Sequence, residues 1–259
     1  MAMSNAQPIQ FWPISEETYN EKAVCGVNTE CFCQPIELTD EIILVAASEW
    51  MDDARLEAYN PILYDENDNV VFDTTGYGSS GIKRFTPFDE GIPEGKYYFK
   101  INLQASVGGD PAVFFYKSDC LDFRTTHECT ELITYSNNKD FAGLPYENQS
   151  PMPEFSFRAP MVFFHEDFPD DQEVHPKSDD TWMRLSSRLE KKRRIDFGYM
   201  PYYMHEKIQL ILMQDNVEID GLSWEKRDAY KIDDASRRYG LRKSSVWLTD
   251  KNYIKRNLI

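Results

Sequence analysis

Three histidine–glutamate pairs are the residues of this chain whose types could do chemistry: His127-Glu128, His165-Glu166 and His205-Glu206. An imidazole beside a carboxylate is the raw material of zinc hydrolysis or general-base catalysis. A zinc-protease helix needs a second histidine four residues after the first, so that both rings face one metal. Those positions hold Glu131, Pro169 and Gln209. A metal hydrolase would therefore need the pairs to converge from separate elements, and surface or packed histidines are the simpler reading. His165-Glu166-Asp167, just before Pro169, is the least ordinary of the three.

Other reactive patterns fail on their surroundings. Residues 76–81, GYGSSG, match G-x-G-x-x-G, but IKRFTPF follows with Pro87. A dinucleotide site needs a helix there, because its N-terminus holds the pyrophosphate; a hairpin loop is expected. Asp65, Asn67 and Asn69 have the opening spacing of a calcium loop, yet Val70 replaces the required glycine and Gly76 the bidentate glutamate. A turn is expected instead. The five cysteines, at 25, 31, 33, 120 and 129, offer no C-x-x-C spacing. Their odd number makes a poor disulfide framework, so buried free thiols are expected, kept reduced by cytosolic production. Neither a Ser/His/Asp set nor a Cys/His set shows a local signature. The sequence therefore predicts no catalytic residue, no cofactor and no metal.

Charge is divided along the chain. Residues 1–180 carry 11 Lys+Arg against 33 Asp+Glu, and residues 181–259 carry 17 against 11. A basic end and an acidic remainder can meet head to tail in a ring of identical subunits; the alternative is a solvated surface whose asymmetry is incidental. The acidic whole argues against specific nucleic-acid binding and is compatible with mere proximity to DNA. Lys191-Lys192-Arg193-Arg194 can be read as a solvated face, a contact with an acidic neighbour, or a phosphate patch.

The elements that position these residues read mainly as β. With 15 Tyr and 16 Phe, the chain favours pleated, half-buried surfaces. Short strand-like runs at 42–48, 54–59, 70–75, 82–88, 96–104 and 112–117 alternate with polar turns, which predicts an antiparallel β-sandwich, immunoglobulin-like or jelly-roll, over 29–123. An N-terminal extension, 1–28, precedes it, and a smaller α+β region, 124–259, follows. The opening residues lack a secretory pattern, and the longest apolar run, Ile42 to Ala47, is far short of the roughly 20 residues that span a bilayer. A soluble chain with no membrane partner is expected. Residues 144–153 and 168–180 read as mobile segments, and 185–194 as either strand or basic helix.

The most regular stretch is 199–228. Pro201 suits a helix start, and Met204, Ile208, Ile211 and Leu212 form one apolar stripe. Asp215-Asn216 stops the helix. Val217–Ile219 and Leu222–Trp224 flank Asp220-Gly221, a hairpin turn that needs positive φ, with Ile219 facing Leu222 and Val217 facing Trp224.

The blocks YMPYYMHEKIQLIL, VEIDGLSW, HECTELITYSN, FAGLPY, CFCQPIEL, MVFFHEDFP and VWLTDKNYIKRNLI resemble structural virion proteins, tail and head–tail connector components, of tailed phages infecting Bacteroidetes, crAss-like phages included. The resemblance implies a non-enzymatic subunit of a ring or collar in the virion, made in the host cytoplasm beside other tail and connector proteins. Tyr203, Met204, Ile208, Trp224, Arg193, Arg194, Ile254 and Ile259 are the expected interface residues; for Ile208 and Trp224 an intrachain core role is the stronger alternative. A rival reading is a carbohydrate- or receptor-binding sandwich of a phage tail, which would use exposed aromatics such as Trp50, Tyr77 and Phe88.

Overall fold

The computed structural model describes residues 8–9, 11–13, 32–45, 54–74, 82–107, 110–142, 144, 146, 153–178, 181–238, 240–253 and 255–258. Nine strands form the N-terminal half: β1 (Phe11–Pro13), β2 (Gln34–Glu37), β3 (Ile42–Val45), β4 (Ala54–Asp65), β5 (Val70–Asp73), β6 (Ile82–Phe85), β7 (Gly95–Val107), β8 (Asp110–Ser118) and β9 (Leu121–Arg124). Seven make one mixed sheet of order β1-β8-β7-β4-β5, with β9 beside the start of β7 and β2 beside β9. Along β7, Tyr97, Phe99 and Ile101 alternate into the core while Tyr98 stacks on Tyr64 on the opposite face, the period of two expected of a strand. The turn at 65–69 is closed by the Asp65 carboxylate, which accepts from the Asn67 and Asn69 amides.

The expected sandwich is not clearly formed. β2 and β9 pair in parallel, and the layer facing the sheet is only the two-stranded ribbon β3–β6. A parallel pair needs a long crossover, here from residue 37 to 121, and no local turn spacing announces it. Cys33 and Cys120 precede the first pair of that ladder, Gln34 with Leu121. Their Cα atoms are 4.5 Å apart and a disulfide joins them. This corrects the expectation of free thiols for these two: parallel pairing brought together residues whose sequence spacing suggested nothing. Cys129 is free and exposed, not buried; Cys25 and Cys31 lie outside the described residues.

The C-terminal half comprises β10 (Thr130–Ser136), β11 (Phe155–Asp167), β12 (Asp170–Pro176), β13 (Trp182–Leu189), β14 (Lys192–Met200), helix α1 (Tyr202–Ile211), β15 (Asn216–Ile219), β16 (Leu222–Lys226), β17 (Lys231–Arg238), β18 (Leu241–Asp250) and β19 (Lys255–Leu258). Six of these strands close into an antiparallel barrel in the cyclic order β14-β11-β10-β15-β16-β18, because β18 also pairs with β14. Closure leaves those six strands without a free edge along their ladders. In this ring β14 and β15 lie opposite each other, so the chain between them must cross the barrel's end. Helix α1 makes the crossing; at 1.5 Å per residue its ten residues span about 15 Å. The whole predicted stripe, Met204, Ile208, Ile211 and Leu212, is buried on the barrel core.

The hairpin follows as its sequence predicts. Asp220 and Gly221 have φ of 53° and 67°, Ile219 pairs with Leu222, and the Trp224 indole donates to the Ile219 carbonyl. The 185–194 ambiguity resolves as strand, β13 and β14, interrupted only at 190–191.

β3 serves two cores at once. Its four side chains are all buried; Ile42 and Leu44 join the N-terminal cluster, and Ile43 and Val45 join the barrel cluster. Beside it, the Arg158 guanidinium of β11 binds Asp40 and Glu37 of the N-terminal half. Across the same seam, helix α1 sends Lys207, fully buried, to the Pro8 carbonyl at 3.3 Å. Gln34 donates to that carbonyl from the other side.

Candidate assembly surface

Between β11 and β14 the chain leaves the barrel as β12 and β13, and β19, which follows β18, completes a separate three-stranded sheet, β12-β13-β19. Every described side chain from Phe164 to Trp182 is exposed except Pro169. The segment 168–180, expected to be a mobile acidic loop, is mostly strand. Asp, Gln and Glu are poor strand formers by composition, and it is pairing with the apolar and basic β13 that orders them.

The arm is unusual in what it leaves in water. After a bulge between Glu173 and Val174, Val174 pairs with Arg184 and Pro176 with Trp182. Cross-strand partners and alternate residues share a face, so Val174, Pro176 and Trp182 form one apolar tip. Trp182 is 68% exposed and Val174 47%. At the root, Phe164 and Phe168 are also exposed, and Phe168 meets the Tyr253 ring edge-on. A small sheet standing apart from the barrel is marginal in water.

The residues expected at an interface are mostly elsewhere. Met204, Ile208 and Trp224 are enclosed in the barrel core and present no surface to a neighbour; the amphipathic stripe that suggested docking is satisfied within the chain. Tyr203 is half-buried against the same core. Burial pushes its hydroxyl pKa well above the usual range, and Asp119, to which it donates, pushes in the same direction. The helix thus docks the chain's own N-terminal half. Arg193 and Lys191 both bind Glu166, Lys192 binds Asp228 and Arg194 binds Asp196. Hydrogen bonds from Arg193 and Lys191 hold the Glu166 carboxyl below its usual range. All four cations of the basic run are therefore matched by carboxylates of the same chain. Ile254 and Ile259 lie outside the described residues.

The histidines of the three His-Glu pairs occupy three unrelated environments. His165 is exposed on the far part of β11. His127 places Nε2 2.8 Å from the Asp122 carbonyl oxygen. His205 is buried, with Nε2 facing the Arg242 carbonyl at 2.9 Å and Nδ1 beside the Tyr230 hydroxyl at 2.8 Å. A carbonyl can only accept, so Nε2 carries the proton. Burial lowers the His205 pKa. Among the described residues, no three His, Cys, Asp or Glu side chains are placed to share a metal ion. An open groove of about 510 Å³ runs between the exit of α1 and β16. Among its lining charges, Arg227 binds Glu190 and Glu225, Asp228 binds Lys192, and Asp215 accepts from Asn138. Of the three aromatics suited to a glycan, Phe88 is exposed; Trp50, Tyr77 and the 76–81 loop lie outside the described residues.

Sequence reasoning missed the arm because DDQEVHP reads as a loop. The available signal was the alternation in TWMRLSSRL on its far side, which calls for a partner strand. Comparison of the chain with protein-family models, with curated proteins and with solved structures found no match.

Proposed function

We propose that this chain is a structural subunit of a tailed-phage virion, a ring or collar component of the tail or head–tail connector that contributes shape and adhesive surface rather than catalysis. The observation that carries the reading is the arm: an ordered sheet that exposes Trp182 and Val174, with Phe164 exposed at its root. Large apolar side chains held in water on a defined scaffold mark a contact surface. The closed barrel and the disulfide-linked sheet supply the rigid body that such a surface needs. Sequence resemblance to virion proteins of Bacteroidetes phages supplies the setting: identical copies in a ring, neighbouring tail and connector proteins, and DNA close by without specific recognition.

The test is the native mass of the purified full chain together with negative-stain images, and labelling of mature particles with an antibody against it. Discrete rings and labelled particles support the reading. A monomer that turns over a substrate, from a phage whose particles carry no label, overturns it. Specific capture of one glycan by isolated monomers would favour the receptor-binding alternative, for which Phe88 is the exposed candidate contact.

A further inference from the structure

The two outer edges of the arm carry opposite charge at matching heights. β13 is the central strand and serves as a common ruler. On one side it pairs Leu189 with Asp170 and Arg188 with Asp171; on the other it pairs Leu189 with Lys255 and Arg188 with Arg256. Asp170 and Lys255 therefore stand level, one at each edge, and so do Asp171 and Arg256. Both outer strands run antiparallel to β13, so β12 and β19 point the same way. Among the described residues neither outer edge pairs with a further strand, which leaves backbone donors and acceptors facing outward on both.

We infer that β19 of one copy pairs in parallel with β12 of the next, placing Lys255 opposite Asp170 and Arg256 opposite Asp171 across each junction, so that the arms join into one continuous sheet around the ring. This deepens the virion-ring reading and rests on it. Charged edges block self-pairing: an acidic β12 repels another β12, and a basic β19 repels another β19. The combination left is the unlike one, which is heterologous and head-to-tail, the kind that generates a ring when its rotation closes. A rotation about an axis along the strands preserves both strand direction and height. It therefore delivers the charge register without shifting either chain. The Val174–Trp182 tip then falls on one face of the joined sheet, where tips of neighbouring copies can cover one another.

The experiment is a charge exchange on the full chain, read by analytical ultracentrifugation. Asp170→Lys with Asp171→Lys makes both edges basic; Lys255→Glu with Arg256→Glu makes both acidic. Each variant alone is expected to need more than about tenfold higher concentration to associate, with its melting temperature unchanged because all four residues lie on edges. Mixing the two variants, or combining all four substitutions in one chain, is expected to restore association. Variants that associate like the wild type would overturn the edge pairing while leaving the ring itself standing. Failure of both the mixture and the fourfold variant to recover would also overturn it. A wild-type chain that stays monomeric at every concentration would bring down the ring reading and the edge pairing together.

Discussion

The Arg158 guanidinium grips the Asp40 carboxylate through two parallel hydrogen bonds, Nε to Oδ2 at 2.7 Å and Nη2 to Oδ1 at 2.8 Å. The pair joins the barrel to the N-terminal sheet across 118 residues of sequence, and both side chains are about nine-tenths buried. Desolvating two ions is costly, and the fork geometry, with Glu37 beside it, offsets that cost.

Removing one partner strands the other. Arg158→Met is expected to cost about 3–5 kcal/mol of stability, because Asp40 is left charged and buried. The double variant Asp40→Asn with Arg158→Met should cost clearly less than the sum of the two single changes. Urea unfolding of the four proteins measures the coupling; strict additivity would mean that the pair does not hold the halves together.

Lys207 makes the same seam sensitive to pH. Burial pushes its pKa down to about 7 from 10.5, and the nearby Asp119 only partly opposes this. Between those values the unfolded chain keeps a proton that the folded chain has released, so stability rises with pH across that window. Below it the folded chain bears the full penalty of a buried cation. Its neighbours there are the Phe157 ring and the Pro8 carbonyl, with Tyr203 sharing Asp119. Lys207→Met is expected to flatten the rise of melting temperature between pH 7 and 10. An unchanged slope would show that the amine titrates normally.

The thiols should separate by reagent. Alkylation of the denatured, unreduced chain is expected to leave Cys33 and Cys120 unmodified and to label Cys129; prior reduction should make all three reactive. Peptide mass mapping reads the result. Labelling of Cys33 without reductant would contradict the Cys33–Cys120 disulfide.

Two tryptophans should behave in opposite ways. Trp224, 1% exposed, sits in the barrel core against Phe163, so Trp224→Ala is expected to cost about 3–5 kcal/mol. Trp182 touches water, so Trp182→Ala should change monomer stability by less than about 0.5 kcal/mol and yet weaken association. Thermal melts at low concentration and sedimentation at high concentration separate these effects.

Local patterns were legible, and distant pairings were not. Met204, Ile208 and Ile211 betray their helix through spacing alone, and Asp220-Gly221 betrays its hairpin through the φ > 0 that the turn demands. What the same residues pack against was not legible. The stripe suited a neighbouring subunit as well as it suited a barrel end, and only the β14–β18 ladder, set by residues some 50 apart, creates that end. The basic run at 191–194 shows the same limit. Its charge was plain in the sequence, and so was Asp196, two residues from Arg194 on the same strand; but Glu166 reaches it through the β11–β14 register and Asp228 from the loop after β16. The arm was obscured by its own composition, since Asp170-Asp171-Gln172-Glu173 carries a turn-like residue set on a paired strand.

The most direct measurement is the mass of the full-length chain in solution at physiological salt, by native mass spectrometry with images of the same sample. A closed ring gives one discrete multiple of the 30.3 kDa chain mass and annular particles, and its assembly should weaken as salt screens the exposed edge charges. A single 30.3 kDa species at every concentration, with no annular particles, would contradict the account.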